Sequence, residues 1–408
     1  MKNLIYSNWG KNTHYKKKIL LPKTLENLKK INKFNKRGLG VCGNLRSFGD
    51  TCINKNKLIS LKNFNTKILL NKKKSLIEVS SNCLLIDILK KIIPEGFMLP
   101  VTPGSKYVTI GGMIANNVLG KNSKNNQLKF YIKEISILTL NNKIIVCSKK
   151  RNRKIFDLTV GGFGLTGIIL SAKLVVKKIK CQFIKQTIFK FNSIKIFNLI
   201  SKKKSTFSVA WVNTHSLNQG KFNGLFYFGN YSSQKEIYNN FKYKNSKMKW
   251  YEKIFLSLYI KNFKFSKLVN SLFTILKRKN ILINFDNFFY PQDKWLNFND
   301  CYNNGLFQIQ FLVTQKKFPM LIKDISLFFK ENNIKSTFII IKKMNENGKY
   351  LNFKGNGYSI SFDFEKNNKY HIIKDYFNKI INIFSLKVNF SKDIIIKNNQ
   401  LKKKTLLY

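Results

Sequence analysis

Three glycine-bearing segments, at residues 38–50, 103–122 and 161–167, fall within the first 170 residues of this 408-residue chain and constrain its fold more than any other feature. The middle one, "VTPGSKYVTIGGMIANNVLGKN", packs a Pro-Gly turn, a Gly-Gly step and a Gly-Lys-Asn into residues 101–122. Bare glycines beside small and amide residues let a backbone lie close against a ligand. None of the three fits Gly-x-Gly-x-x-Gly at the start of a helix or Gly-x-x-x-x-Gly-Lys-Ser/Thr, so the usual dinucleotide and P-loop fingerprints are absent. A different anion cradle is implied.

Strands and helices surround these segments. "ILLP" reads as a strand and "KTLENLKKINKF" as an amphipathic helix capped by Thr24. "KLISL" and "SLIEVSS" read as strands, and "LLIDILKKII" as a helix ending before Pro94. "KEISILTL" and "KIIVCS" flank Asn141-Asn142, a pair suited to a hairpin. Beyond about residue 180 glycines thin out, and strands alternate with helical runs such as "NNFKYKNSKMKWYEKIFLSLYIKNF" and "FPMLIKDISLFFKEN". The expected class is α+β, with a boundary near residue 178.

Forty-four per cent hydrophobic content with 36 Phe and 17 Tyr indicates a folded chain. The formal charge of +56 is spread through Lys-, Asn- and Ile-rich sequence, the pattern an A/T-biased genome produces, so no specific nucleic-acid partner is expected. Attraction to acidic substrates or membranes stays open. Six cysteines, at 42, 52, 83, 147, 181 and 301, show no metal-ligand spacing, and no metal is expected. The N-terminus lacks a signal-peptide core and no segment has about eighteen uninterrupted apolar residues. A cytoplasmic protein, with peripheral membrane docking allowed, is the expectation.

"LRSFGD" at 45–50, the run from Pro100 to Asn122 and "TVGGFGLTGIIL" at 159–170 resemble the flavin-binding segments of the vanillyl-alcohol-oxidase/p-cresol-methylhydroxylase superfamily, most of all decaprenylphosphoryl-ribose-oxidase-like proteins. "SNWGK", "FSVAWVN", "FQIQFLV", "GYSISFDF" and "SKD" follow in that family's order. The resemblance implies a two-subdomain, PCMH-type FAD-binding domain over residues 1–178. An α+β substrate or cap domain with an antiparallel sheet would follow over 179–385, and a segment over 386–408 would return to the flavin, shorter than in relatives. Turns rich in backbone N–H groups bind pyrophosphate without a lysine.

By the same resemblance, Gly43, Asn44, Arg46, Ser47, Phe48, Gly49, Asp50, Gly104 and Ser105 lie near the pyrophosphate and ribose. Thr109, Ile110, Gly111, Gly112, Asn116, Asn117, Val118 and Leu119 run beside the isoalloxazine, and Gly167 and Ile168 approach the adenine. Arg46 stands where covalently flavinylated relatives often have His, which implies noncovalent FAD. Lys392 and Lys121 are the candidate catalytic groups, and Gln308, Gln310 and Lys343 the candidate substrate contacts. Gln308 and Gln310, two apart on a strand, share a face. His14, His215 and His371 receive no role.

The implied reaction is oxidation of a secondary hydroxyl of a sugar, free or lipid-linked, with a short-chain reductase partner completing an epimerisation. An aldonolactone oxidase remains an alternative. So does a degenerate flavoprotein or basic binding protein, because Leu119, Phe48 and Asn389 replace His or Tyr of close relatives.

Overall fold

A computed structural model describes residues 4–17, 19–34, 39–54, 57–233, 248–276, 280–346 and 353–392. The helix expected across 239–263 is described from Trp250 onward, and residues 393–408 of the C-terminal segment lie outside the described residues.

Near the N-terminus, the amphipathic helix forms at Leu25–Phe34, with the Thr24 hydroxyl accepting from the Asn27 amide at 3.2 Å. It follows a short edge strand, Ile19–Leu20, of a three-stranded parallel sheet completed by Lys57–Ser60 at the centre and Leu39–Cys42 at the far edge. Parallel strands require such crossovers. A second, antiparallel sheet runs in the order Ile144–Cys147, Ile132–Leu138, Ile168–Val175, Leu76–Ser80, Ile68–Asn71. Its first pair is the expected hairpin, with Asn142 at φ 59°, the left-handed conformation Asn tolerates. Helices Leu85–Ile92 and Ile110–Ala115 bury their apolar residues against this sheet.

Antiparallel pairing dominates the second half. Eight strands lie in the order Asn280–Asn284, Phe183–Phe191, Gly224–Tyr231, Phe207–Val212, Phe338–Glu346, Gly355–Glu365, Leu306–Val313, Lys387–Val388. Helices Ile194–Ser201, Phe318–Glu331 and Tyr370–Ile383 cover one face, where Phe197, Phe311, Phe318, Phe362 and Phe377 meet stacked or tilted. All eight residues of Leu306–Val313 are buried, so its opposite face is covered too. A strand buried on both faces places its polar side chains inside the molecule.

The two halves are joined by main chain. Phe338–Glu346 pairs with only Ala210–Val212, which leaves the edge of Phe207-Ser208 open, and the loop of the middle glycine segment fills it. Ser208 N donates to Lys121 O at 2.7 Å and Ser123 N to Thr206 O at 3.0 Å. Gly120 N donates to Asn126 O at 2.7 Å, closing the loop on itself.

Phe377 is fully buried among Phe311, Phe362 and Phe364. Phe377→Ala is expected to destabilise the protein by about 3–5 kcal/mol, through lost burial and a residual cavity. Urea unfolding followed by far-UV circular dichroism measures this, and an unchanged midpoint would show that the helix-covered face does not carry the fold.

Candidate active site

A cleft of about 420 Å³ opens where the three-stranded sheet, the helix Ile110–Ala115 and the end of the described chain meet. Gly43, Asn44, Arg46, Ser47, Thr109, Gly111, Gly112, Asn116, Val118, Gly167 and Lys392 all line it. All three glycine segments therefore converge on one cavity. The sequence reading missed several of its walls, among them Thr51, Cys52, Ser60, Ser81, Asn82, Phe163 and Ser391. The Ser80-Ser81-Asn82 turn carried a small-polar signal at a strand end that could have found two of them.

Local structure explains the glycines. Thr109 caps the helix Ile110–Ala115, its hydroxyl accepting from the Gly112 amide at 3.2 Å. A Cβ on Gly43 would sit 2.2 Å from that same hydroxyl, so the first glycine segment can touch the helix cap only without a side chain. Gly167, at φ 134°, would place a Cβ 2.3 Å from the Leu138 carbonyl oxygen. Arg46 stands with its guanidinium over the Tyr107 ring, 5.5 Å from the centroid. Burial lowers its pKa, opposed by the nearby Asp293 carboxylate.

Other expected flavin neighbours take structural positions. The Ile110 side chain is fully buried in the core, and Ile168 packs with Leu28, Ile59 and Leu138. Asn117 turns the chain at φ 42° and accepts from the Lys129 amide at 2.9 Å. Gly49 and Asp50 begin a short 3-10 turn, and Phe48 packs on Trp9. Gly104 has open space where a Cβ would be. The Ser105 hydroxyl accepts from Tyr107 N at 3.3 Å and is hydrogen-bonded to Asp293. Next to it, buried Lys106 pairs with Asp286 at 2.5 Å, tying the Pro-Gly loop to the helix Phe285–Phe289.

The side of the large sheet away from the three helices supplies the second set. Gln308 faces Asp363 across the strands and donates to its Oδ1 at 2.5 Å; Gln310 donates to the Ser359 hydroxyl at 2.9 Å and accepts from Asn389 Nδ2 at 2.7 Å. Ser391 N and Oγ both donate to Asn389 Oδ1, which positions the turn that carries Lys392. The Lys392 ammonium lies over the Phe48 ring at 4.5 Å. Leu119 packs beside Leu312 and Met344 on the same side.

Lys343 stands opposite Tyr358 and Val313, core residues of the helix-covered face, and its Nζ reaches the Ser201 carbonyl at 3.4 Å. Its neighbour Lys342 stands opposite Ser359 and Leu312, on the face of Gln308 and Gln310. Consecutive strand residues point to opposite faces, so only one lysine of the pair can join the glutamines. Register selects Lys342.

Charge is concentrated there. Burial lowers the Lys121 pKa to about 7, with Lys342 adding like-charge repulsion, and lowers that of Lys342 to about 8, with Lys392 adding the same effect. Lys121 Nζ donates to the Phe288 carbonyl. Burial lifts Asp363 to about 6 against the opposing pull of Gln308 and Lys392. Burial and this like-charge repulsion together favour the neutral forms of Lys121 and Lys342.

The cleft fits a large polar cofactor. Its volume lies within the range of small-molecule sites. Two polar atoms of its lining, Thr51 Oγ1 and Asn116 Oδ1, are buried with no hydrogen-bond partner among the described residues, and Arg46 supplies positive charge. Such atoms require an outside partner. Residues 17–148 match the FAD binding domain family. Over part of its length the chain is similar to FAD-linked oxidases and dehydrogenases.

The chain is 33% identical over 141 residues to decaprenylphosphoryl-β-D-ribose oxidase of Mycolicibacterium smegmatis, covering 34% of this chain and 30% of that protein. It is 28% identical over 112 residues to cytokinin dehydrogenase 2 of Arabidopsis thaliana, covering 27% and 22%. D-lactate dehydrogenase of Anaerostipes hadrus is 26% identical over 125 residues, covering 29% and 26%. The chain thus matches under a third of the length of these curated relatives.

A Cβ on Gly112 meets only the Thr109 hydroxyl, at 3.1 Å, and Gly112 lines the cleft. Gly112→Val is expected to abolish flavin uptake while the far-UV spectrum is kept; full flavin content would remove this helix from the cofactor wall. Lys121 also makes a pH prediction. Its folded pKa of about 7 lies below its ordinary 10.5, so the unfolded chain binds the extra proton between those values and stability rises with pH across that window. Lys121→Met is expected to flatten the rise in urea midpoint between pH 7 and pH 9; an identical slope would show Lys121 charged in the fold.

Proposed function

We propose that this flavoprotein is an FAD-dependent oxidoreductase that oxidises a secondary hydroxyl on a sugar carrying an anionic group, such as a lipid-linked phospho-sugar. The observation that carries this reading is the convergence of Gln308, Gln310, Lys342 and Lys392 on one covered sheet face, with Lys392 also lining the flavin cleft. Amide side chains suit sugar hydroxyls, and the lysines suit a phosphate. An uncharged aldonolactone uses none of that positive charge, which places it second.

Bound FAD supplies a hydride acceptor. The chain's residues do the rest. Arg46 and the turns at 43–47 hold the pyrophosphate, and Thr51 and Asn116 offer hydrogen bonds to the cofactor's polar atoms. Gln308 and Gln310, fixed by Asp363, Ser359 and Asn389, orient the substrate. As the carbinol carbon loses hydride and becomes a carbonyl, its hydroxyl proton passes to a neutral amine of the lysine set. Lys392 is the candidate acceptor because it reaches both the cleft and the glutamine face, where Lys342 adds like-charge repulsion.

Noncovalent attachment is favoured by the cysteines of the wall. Burial raises Cys42 to about 12 and Cys52 to about 11, leaving both as weakly nucleophilic thiols. The parallel and antiparallel sheets of the first half support a two-subdomain flavin domain ending near residue 178, and the eight-stranded sheet supports a substrate domain over 179–385. Lys387–Val388 pairs along the edge of that sheet, and the following Ser391 and Lys392 line the cleft. A short-chain reductase acting on the ketone product, in a cytoplasmic setting at or near the membrane, completes the proposal.

Acid precipitation of the yellow protein is expected to release the flavin into the supernatant; pelleted colour would indicate a covalent bond. In anaerobic stopped-flow mixing with phosphorylated pentoses, Lys392→Ala and Lys342→Ala are expected to slow flavin bleaching by about 100-fold or more, the scale of lost general-base catalysis. Lys343→Ala should bleach as the parent does. Equal bleaching in all three variants would remove the lysine face from the reaction.

A further inference from the structure

No helix among the described residues is long and apolar enough to cross a membrane. Even so, the helical hairpin of Trp250–Lys261 and Phe263–Leu276 concentrates exposed apolar surface as no other region of the described structure does. Of the 23 exposed large apolar side chains among the described residues, ten lie between Trp250 and Ile275. Trp250 is 75% exposed, Ile275 68% and Leu268 57%, far beyond the scatter of single apolar residues on a soluble surface.

The pattern has two faces. On the first helix, Leu256 and Ile260 point inward to Cys301, Tyr302 and Leu306, while Trp250, Ile254 and Leu258 recur every four residues on the outside. On the second, buried Ser266 and Asn270 anchor the hairpin through His215 and Tyr259, while Leu268, Leu272 and Ile275 face out. Exposed Lys249, Lys253, Lys261, Lys264 and Lys267 accompany them, and Glu252 is the only acid between 249 and 276. Apolar side chains edged by lysines match an anionic bilayer surface, where the former enter the acyl boundary and the latter meet lipid phosphates. A second copy of this chain would bring the same lysines together.

We propose that this hairpin docks the protein onto an anionic lipid bilayer, lying in the interface without crossing it. The inner side of the hairpin joins the cluster that holds Trp9 and Phe48, and Phe48 carries the Lys392 ammonium on its ring. A docked hairpin therefore brings the Lys392 end of the flavin cleft toward the bilayer. The docking does not depend on the substrate assigned above, and its test uses no turnover.

The test is co-sedimentation of the full, flavin-loaded chain with vesicles of phosphatidylcholine alone or mixed with phosphatidylglycerol. Binding is expected to the mixed vesicles and to fall with added salt. Trp250→Gln with Leu268→Gln should weaken it at least tenfold, because two anchoring side chains are lost. Lys264→Gln with Lys267→Gln, a pair on the exposed face, should weaken it by several-fold per lysine, with flavin absorbance unchanged as the sign of an intact fold. Failure to bind mixed vesicles, equal binding to both compositions, or unaltered binding of both variants would overturn the proposal. So would a dimer in light scattering that the Trp250→Gln, Leu268→Gln variant breaks, which would assign the face to a second copy.

Discussion

The backbone pairing of Lys121 and Ser123 with Thr206 and Ser208 is the join on which the site depends. It adds the loop of a flavin-domain glycine segment to the open edge of a strand in the large sheet. Main-chain hydrogen bonds fix position more tightly than side-chain packing, because their geometry tolerates little sliding. Asn126 N to Glu346 Oε1 at 2.9 Å and Asn122 Nδ2 to Pro100 O at 2.9 Å hold the loop from either side. With it fixed, Lys121 is buried near Lys342, and the cleft meets the glutamine face.

That arrangement has an electrostatic cost that the protein meets in two ways. Buried ammonium groups are disfavoured, so Lys121 and Lys342 shift toward neutrality. Asp363 shifts the opposite way for the same reason, while its hydrogen bond from Gln308 favours the charged form. Buried groups poised near neutral pH beside Lys392, which lines the cleft, are suited to moving protons, whereas a stability role alone would favour apolar residues there. The opposite face of the same sheet shows that alternative, an aromatic core of Phe side chains beneath three helices.

Much of the flavin half was legible because its signals are local. Thr24 caps a helix, Asn142 turns a hairpin, and Gly43 and Gly167 occupy positions where a Cβ would collide. Each depends on a few neighbouring residues, and the order of such segments carried the resemblance to FAD-linked oxidases. Ile110, Asn117 and Ile168 sit in those same segments, yet their side chains serve the core or a turn. A motif places a stretch of backbone beside a ligand; which side chains face it depends on each residue's direction within the stretch.

The sequence by itself determined an α+β flavin-binding chain, the three glycine segments of its cleft, and the pairing of Gln308 with Gln310 on one strand face. Tertiary structure alone decided which lysine of the Lys342-Lys343 pair stands with those glutamines, because register is a relation between strands far apart in sequence. It also decided that the glutamine face is covered, that Ser391 and Asn389 position Lys392, and that Trp250, Ile254, Leu258, Leu268, Leu272 and Ile275 stay outside the core. A sequence specifies local conformation through neighbouring residues, but burial and charge proximity are set by chain segments that meet only after folding.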